Sequence, residues 1–289
     1  MRATGFEREL PGDLLERLEE HARAVRLHTL RMAHEGRTPH VGSALSSVEI
    51  LVSLYFAVLD VDPDEPDAPG RDVFVLSKGH GCMSYYATLA ERGFFPVEWL
   101  STYAKNGGRL PEHPTPKGIP GVRVATGSLG HGLAVGIGML LARRLDGRKG
   151  RVFVLMSDGE CNEGSVWEAA MFAARERLDR LVAIVDYNKL QATGRCEDIL
   201  PLEPLADKWR AFGWAVREVD GHDLGGLVTT FRNLPFETPR PNLVLAHTVK
   251  GKGVSFMEND PEWHYRPPDS AELERAMAEV RATPGGEKP

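Results

Sequence analysis

Two hydrophobic rhythms divide the chain. Over residues 12–35, Leu14, Leu15, Leu18, Ala22, Val25, Leu30 and Ala33 recur at three- and four-residue spacing among Glu and Arg. That spacing predicts an amphipathic helix with one apolar stripe, and Gly36 supplies a stop signal. Residues 37–44 read as a loop. A second helix is predicted from Ser46, where Ser46 and Glu49 have capping-box spacing, through Leu51, Leu54, Tyr55 and Val58. The other rhythm is the near-continuous apolar run of a buried strand. It occurs at residues 72–77, 151–156, 181–186 and 242–247, and more weakly at 216–219. Helical patterns at 83–92, 132–145, 165–178, 204–212 and 224–233 lie between these runs. Gly132 and Gly136 stand four apart in one predicted helix. There they imply a closely packed neighbour, since each otherwise costs about 1 kcal/mol relative to Ala.

Apolar strands alternating with helices predict an α/β fold with a doubly wound, mostly parallel sheet flanked by helices. The expected division is a helical extension over 1–36, the α/β domain over 37–268, and a C-terminal helix with a flexible tail over 269–289, disordered from residue 285. A long Gly- and Pro-rich segment, 106–126, reads as a functional loop.

The 289 residues are 42% hydrophobic and 26% charged, which suits a sizeable core. Net charge is −6, without a basic run, so nucleic acid is not an expected partner. Cys82, Cys161 and Cys196 show neither disulfide nor metal spacing, in keeping with a reducing cytoplasm. Arg2, Glu7, Arg8, Glu9 and Asp13 precede any apolar stretch, unlike a signal peptide. The longest mostly apolar run, 48–59, is short for a membrane span and contains Glu49.

Chemistry concentrates at two strand ends. The run 151–156 leads into Ser157-Asp158-Gly159-Glu160, then Asn162-Glu163-Gly164. About 30 residues later, the length of a βαβ unit, the next run ends in Asp186-Tyr187-Asn188-Lys189-Leu190. If these strands are neighbours, their C-terminal ends share the edge where α/β proteins bind ligands. Asp158 and Asn188 then converge, and a following backbone carbonyl completes an all-oxygen set suited to Mg²⁺ or Ca²⁺. That set leaves positions open for phosphate oxygens, and Gly159 allows close approach of a diphosphate. Taken singly, Asp158-Gly159 is also an ordinary turn.

The same segments resemble the diphosphate-binding motif of thiamine-diphosphate enzymes. Residues 40–51 (HVGSALSSVEIL), 74–81 (FVLSKGHG), 111–114 (PEHP), 126–132 (TGSLGHG) and 251–264 (GKGVSFMENDPEWH) are similar to transketolases in particular, in the family's order. The resemblance covers nearly the whole chain. It implies the thiamine diphosphate-binding fold in its diphosphate-binding (PP-type) form. It implies metal ligation by Asp158, Asn188 and the carbonyl of Leu190, a diphosphate contact by Gly159, and His80 and His264 against the cofactor. Gly127 and Leu129 would face the aminopyrimidine, and Glu163 matches an acid buried at the interface between protomers. His40 and His113 match substrate-contacting histidines, so His40, His80, His113 and His264 form the implied catalytic set; imidazole suits proton transfer near neutral pH.

The family's pyrimidine-binding domain, with its activating glutamate and sugar-phosphate residues, has no counterpart among the matched segments. The resemblance therefore implies an N-terminal subunit of a split transketolase with a C-terminal partner, in an α2β2 assembly. It would move a two-carbon ketol unit from a ketose phosphate to an aldose. The alternatives are a lipoyl or carrier-protein acceptor, a 2-oxoacid dehydrogenase α-like chain, or an inert cofactor-binding subunit. Two positions depart from the family: Ser157 for Gly and His131 for Gln. His21, His28 and His34 read as surface or packing residues. His222 and His247 flank strand-like runs, and His247 could either approach the cofactor or pack. Lys250 and Lys252 could meet a phosphate or be solvated.

Overall fold

The computed structural model describes residues 11–282. Residues 1–10 and 283–289, including the tail expected to be disordered, lie outside the described residues. Five strands, β1 (Val73–Leu76), β2 (Val152–Ser157), β3 (Leu181–Tyr187), β4 (Ala215–Asp220) and β5 (Asn242–His247), form one sheet in the order β1-β2-β3-β5-β4. Every pairing is parallel. The predicted strands are all present, and β4, the weakest in sequence, is an edge strand whose outer half is exposed.

Alternate strand residues bury two separate apolar clusters. Phe153, Leu155, Val182, Ile184, Val244 and Ala246 pack on one face, beneath α1 (Gly12–Gly36), α2 (Val41–Leu45), α3 (Val48–Ser53), α4 (Cys82–Arg92), α9 (Leu224–Arg232) and α10 (Ser270–Ala282). Val152, Val154, Met156, Ala183, Val185, Leu243 and Leu245 pack on the other. They lie beneath α5 (Gly132–Leu145), α6 (Gly164–Arg175), α7 (Cys196–Ile199) and α8 (Leu205–Ala211). A sheet buried on both faces requires the continuous Val/Ile/Leu runs seen in sequence.

Three details differ from expectation. α1, read from sequence as a helical extension, packs into the domain: its Leu18, Val25 and Leu30 are fully buried in the same cluster as the sheet, and α10 joins that cluster through Ala276 and Val280. Ser46 and Glu49 make no capping box, and α3 has no side-chain cap. Ser46 Oγ donates instead to Asp186 Oδ2 at 2.6 Å, while Glu49 binds Arg26 and His222. Finally, α2, α3 and a π-helical turn (Leu54–Val58) make the apolar stretch longer than the sequence run. Val41–Val58 is 18 residues with mean hydropathy 1.7, long and apolar enough to cross a membrane, yet 83% of it is buried inside the domain. Glu49 is tolerated there because Arg26 and His222 hold its carboxyl down to about 2 against the upward push of burial.

Candidate active site

The sheet register builds the site. β2 and β3 are neighbours, with Ser157 opposite Asp186, so Asp158 and Asn188 leave adjacent strand tips. Lys189 takes a left-handed backbone conformation (φ 67°). Its N–H thereby reaches Asp158 Oδ2 at 2.5 Å. Gly159 N–H donates to Asp158 Oδ1 at 2.7 Å, and Leu190 N–H donates to Asn188 Oδ1 at 3.1 Å. Asp158 is 1% exposed and has no cation partner among the described residues. Burial, then the charge of Asp186, raises its carboxyl to about 6, partly opposed by the Gly159 and Lys189 amides. A buried carboxylate near an amide oxygen, raised by burial and with no ion-pair partner in contact, is an environment a divalent ion relieves, although the charge of Lys78 already acts on it. Among the described residues, no group of three His, Cys, Asp or Glu side chains could hold a metal alone. An ion here would draw on amide and backbone oxygens beside Asp158, with positions left for a ligand or water.

Four histidines from four separate segments converge. His40 lies 5.4 Å from His80, 6.2 Å from His113 and 4.8 Å from His264 between ring centroids, and His80 lies 5.8 Å from His264. His40 is itself left-handed (φ 75°), and its N–H donates to the His264 carbonyl at 2.7 Å. Burial comes first in lowering His40, to about 4, and the charges of His113, Lys250 and Lys78 add to it. Burial, then Lys250, His40 and Lys78, brings His264 to about 3. His80 is lowered by burial, then by Lys78, His40 and His264. These three rings are therefore neutral at pH 7, each with one donor and one acceptor nitrogen.

The 126–132 segment closes over this cluster. Gly127 has φ 140°, and a Cβ there would lie 2.7 Å from His113 Cδ2, so only glycine fits. Leu129 is half-buried, and its carbonyl meets His131 Nδ1 at 3.1 Å. His131 is exposed. Gly159 stands over the Gln191 side chain, whose Cγ would lie 3.2 Å from an added Cβ. Glu163 is exposed at the start of α6 and lies against Gly130. Ser157 fits where the family has Gly: it is buried, and its Oγ accepts from Glu160 N–H at 3.3 Å.

Four charged residues beneath the site were not assigned as site residues from sequence. Lys78 and Asp186 form an ion pair with neither side chain exposed. Asp186 also accepts from Ser46 and Thr248, and Lys78 donates to the Ser43 carbonyl at 2.8 Å. Burial alone would raise the Asp186 carboxyl, but Lys78 and the two hydroxyls hold it below its usual range. Glu160, fully buried, accepts from Ser77 Oγ, Gly130 N–H at 2.8 Å and Ser157 N–H at 3.2 Å. It thereby ties the tips of β1 and β2 to the segment before α5, and burial raises its carboxyl. Lys250 is buried and donates to His264 Nδ1 at 3.0 Å, the Gln191 carbonyl at 3.0 Å and the Leu190 carbonyl at 3.4 Å. Burial brings it down to about 8. The carbonyl assigned to a metal thus already has an ammonium neighbour. Lys252 pairs instead with Glu258 at 3.5 Å.

The remaining histidines are occupied elsewhere. His247 contacts Glu218 at 3.0 Å and packs on Tyr187, whose side chain lies in the cluster opposite Asp186's face of the sheet. His222 Nε2 accepts from Val249 N–H at 2.8 Å, which leaves Nδ1–H for Glu49 at 2.9 Å. His28 and His21 meet Glu91, and His34 meets the Pro268 carbonyl.

Residues 17–284 match the family described as "Transketolase, thiamine diphosphate binding domain". The chain is 45% identical over 267 residues to an apulose-4-phosphate transketolase subunit of Actinobacillus succinogenes, covering 92% of this chain and 96% of the relative. It is 44% identical over 241 residues to a 6-deoxy-6-sulfo-D-fructose transketolase subunit of a Clostridium species, covering 83% and 88%. Its fold matches transketolase from Leishmania mexicana with TM-score 0.86 at 26% identity, covering 94% of this chain and 42% of that one. The chain thus spans about two fifths of the solved transketolase but nearly the whole of relatives named as subunits. It belongs to the transketolase family, as the thiamine-diphosphate-binding subunit of a split transketolase.

Proposed function

We propose that thiamine diphosphate and a divalent cation, Mg²⁺ or Ca²⁺, bind where β2 and β3 end. Asp158, Asn188 and the Leu190 carbonyl would hold the ion, and Gly159, His80 and His264 would meet the diphosphate. Gly127 and Leu129 would face the ring, with Glu163 at the adjoining protomer boundary. When bound, the cofactor supplies an electron sink for breaking and forming a carbon–carbon bond. The protein's part is orientation and proton handling. His40 and His113, beside each other and half-buried, would hold substrate hydroxyls, and the neutral rings at His40, His80 and His264 can pass a proton in either direction.

The observation that carries this reading is the convergence of four histidines from distant segments, three of them kept neutral by burial, near an unpaired buried carboxylate. The proposed reaction is transfer of a two-carbon ketol unit from a ketose phosphate to an aldose. The proposed partner is a C-terminal, pyrimidine-binding transketolase subunit, in an α2β2 assembly. Glu163, at the start of α6, and Met171 and Phe172, about two turns further along it, are all exposed, which suits a covered face. Free, buried thiols at Cys82, Cys161 and Cys196 fit the proposed cytoplasmic location.

The test is titration of the chain with thiamine diphosphate and Mg²⁺, followed by assay with the candidate partner and a ketose phosphate. Asp158→Ala should weaken cofactor binding by at least about 100-fold, and a chelator should release the cofactor. Undiminished binding by Asp158→Ala would remove the metal site. Tight cofactor binding without turnover beside the partner would favour the reading as an inert subunit.

A further inference from the structure

A cleft of about 700 Å³ lies between the 116–123 segment, the second half of α5 and the start of β1. It shares no residue with the histidine cluster or the β2 and β3 tips. Its volume falls within the roughly 300–1,000 Å³ of small-molecule sites. Three guanidinium groups line it, those of Arg123, Arg143 and Arg148, among apolar walls that include Pro120, Val122 and Met139.

Arg143 is the unusual member. Its Nη2 donates to the Arg71 carbonyl, but its Nε is buried without any hydrogen-bond partner. Among the described residues, no carboxylate lies within ion-pair distance of it. Burial lowers its pKa, as does the charge of Arg123; Asp72 opposes them, and Arg148 adds a smaller lowering. A guanidinium that faces two like charges, with a buried Nε left unbonded, is a favourable place for an anion to join. The two acids of the cleft do not fill that role. Asp67 is taken by Arg123, with its side chain 87% exposed. Asp146 pairs with Arg148 at 3.3 Å, both about half exposed. Pairs with an exposed partner contribute little. The Arg123 side chain is only 26% exposed, but its acid lies largely in solvent, so Arg123 and Arg148 can turn to a stronger acceptor. The planar guanidinium fork matches phosphate and carboxylate oxygens in pairs.

We propose that this cleft is a second ligand site, separate from the cofactor site, which takes a small phosphate-bearing molecule with an apolar body. Arg143, Arg123 and Arg148 would grip the phosphate, and the Pro120, Val122 and Met139 walls would bury the body.

The test uses the full chain saturated with thiamine diphosphate and Mg²⁺, so that the diphosphate site is filled. Inorganic phosphate and phenyl phosphate are titrated by calorimetry. Both should bind, phenyl phosphate more tightly. Arg143→Met should weaken binding by about tenfold or more. Arg148→Glu, at an exposed position, should weaken it as well while leaving the melting temperature unchanged. Absence of binding at millimolar concentration, or unchanged affinity in both arginine variants, would overturn the assignment. Equal affinity for the two probes would remove its apolar half.

Discussion

Neutralising the Lys78–Asp186 pair one partner at a time should be far more damaging than neutralising both. Neither side chain is exposed, so Lys78→Met leaves a carboxylate, and Asp186→Asn an ammonium, without its counter-charge in a dry site. Each single change should cost about 3–5 kcal/mol. In a chain of this size that is a fall in melting temperature on the order of 10 °C. Ser46 and Thr248 donate to opposite oxygens of Asp186, and Asn keeps only one of them, so the loss there combines one hydroxyl bond with the stranded Lys78, which keeps the Ser43 carbonyl. The double variant removes both charges and should lie at least about 2 kcal/mol above the sum of the singles. Urea and thermal unfolding of the four proteins at pH 7 measure this. The pH dependence is a second readout. The Asp186 carboxyl is held below its ordinary range, so its stabilisation is complete above about pH 4 and lost as pH falls further. The double variant should lack that acid-dependent portion. Single changes below about 1 kcal/mol, or an additive double, would refute the view that each charge is kept tolerable in its buried place by the other.

Further outcomes follow from other sites. His40 and His264 sit near 4 and 3 when folded, against about 6.5 unfolded. Unfolding therefore takes up protons between these values, and the chain should lose stability as pH falls from about 6.5 toward 4. Asp158, raised to about 6, acts with the opposite sign over part of that window, so Asp158→Asn should steepen the loss seen in pH-resolved melts. On α5, a Cβ at Gly136 would lie 2.6 Å from Val154 Cγ2, whereas nothing lies within 4 Å of one at Gly138. Gly136→Ala should then destabilise by about 1–3 kcal/mol, and Gly138→Ala should stabilise the isolated chain by up to about 1 kcal/mol, as read by denaturation. The thiols of Cys82 and Cys196 are pushed up to about 12 by burial. Native protein should resist aromatic disulfide reagents until unfolded, and fast labelling would contradict the burial.

The sheet was legible because strands buried on both faces must be apolar at every position, and LVAIV and VFVLM can do little else. The strand order was less so. Nothing in the segment before β5 announces that β5 inserts between β3 and β4, because register depends on the packing of helices far apart in sequence. At the site, the pairing of Asp158 with Asn188 followed from βαβ spacing, but the meeting of His40, His80, His113 and His264 rested on family resemblance. Ser46 and Glu49 show why local pattern misleads: their spacing suits a helix start, yet each is drawn off by a partner more than 20 residues away, Asp186 for one and Arg26 for the other. Lys78, Glu160 and Asp186 carried a signal, since a charge directly after or within an apolar strand run must find a buried partner. Which partner it finds is set only by the fold.

The strand order also constrains how the chain can assemble during synthesis. β4 has no strand neighbour except β5, which is made later. As the polypeptide emerges, β1, β2 and β3 can join in turn, whereas β4 must remain outside the sheet until residue 247 is available. A chain ending before residue 242 would leave β4 with an unpaired backbone edge and β3 with one open side, and such edges invite association with other chains.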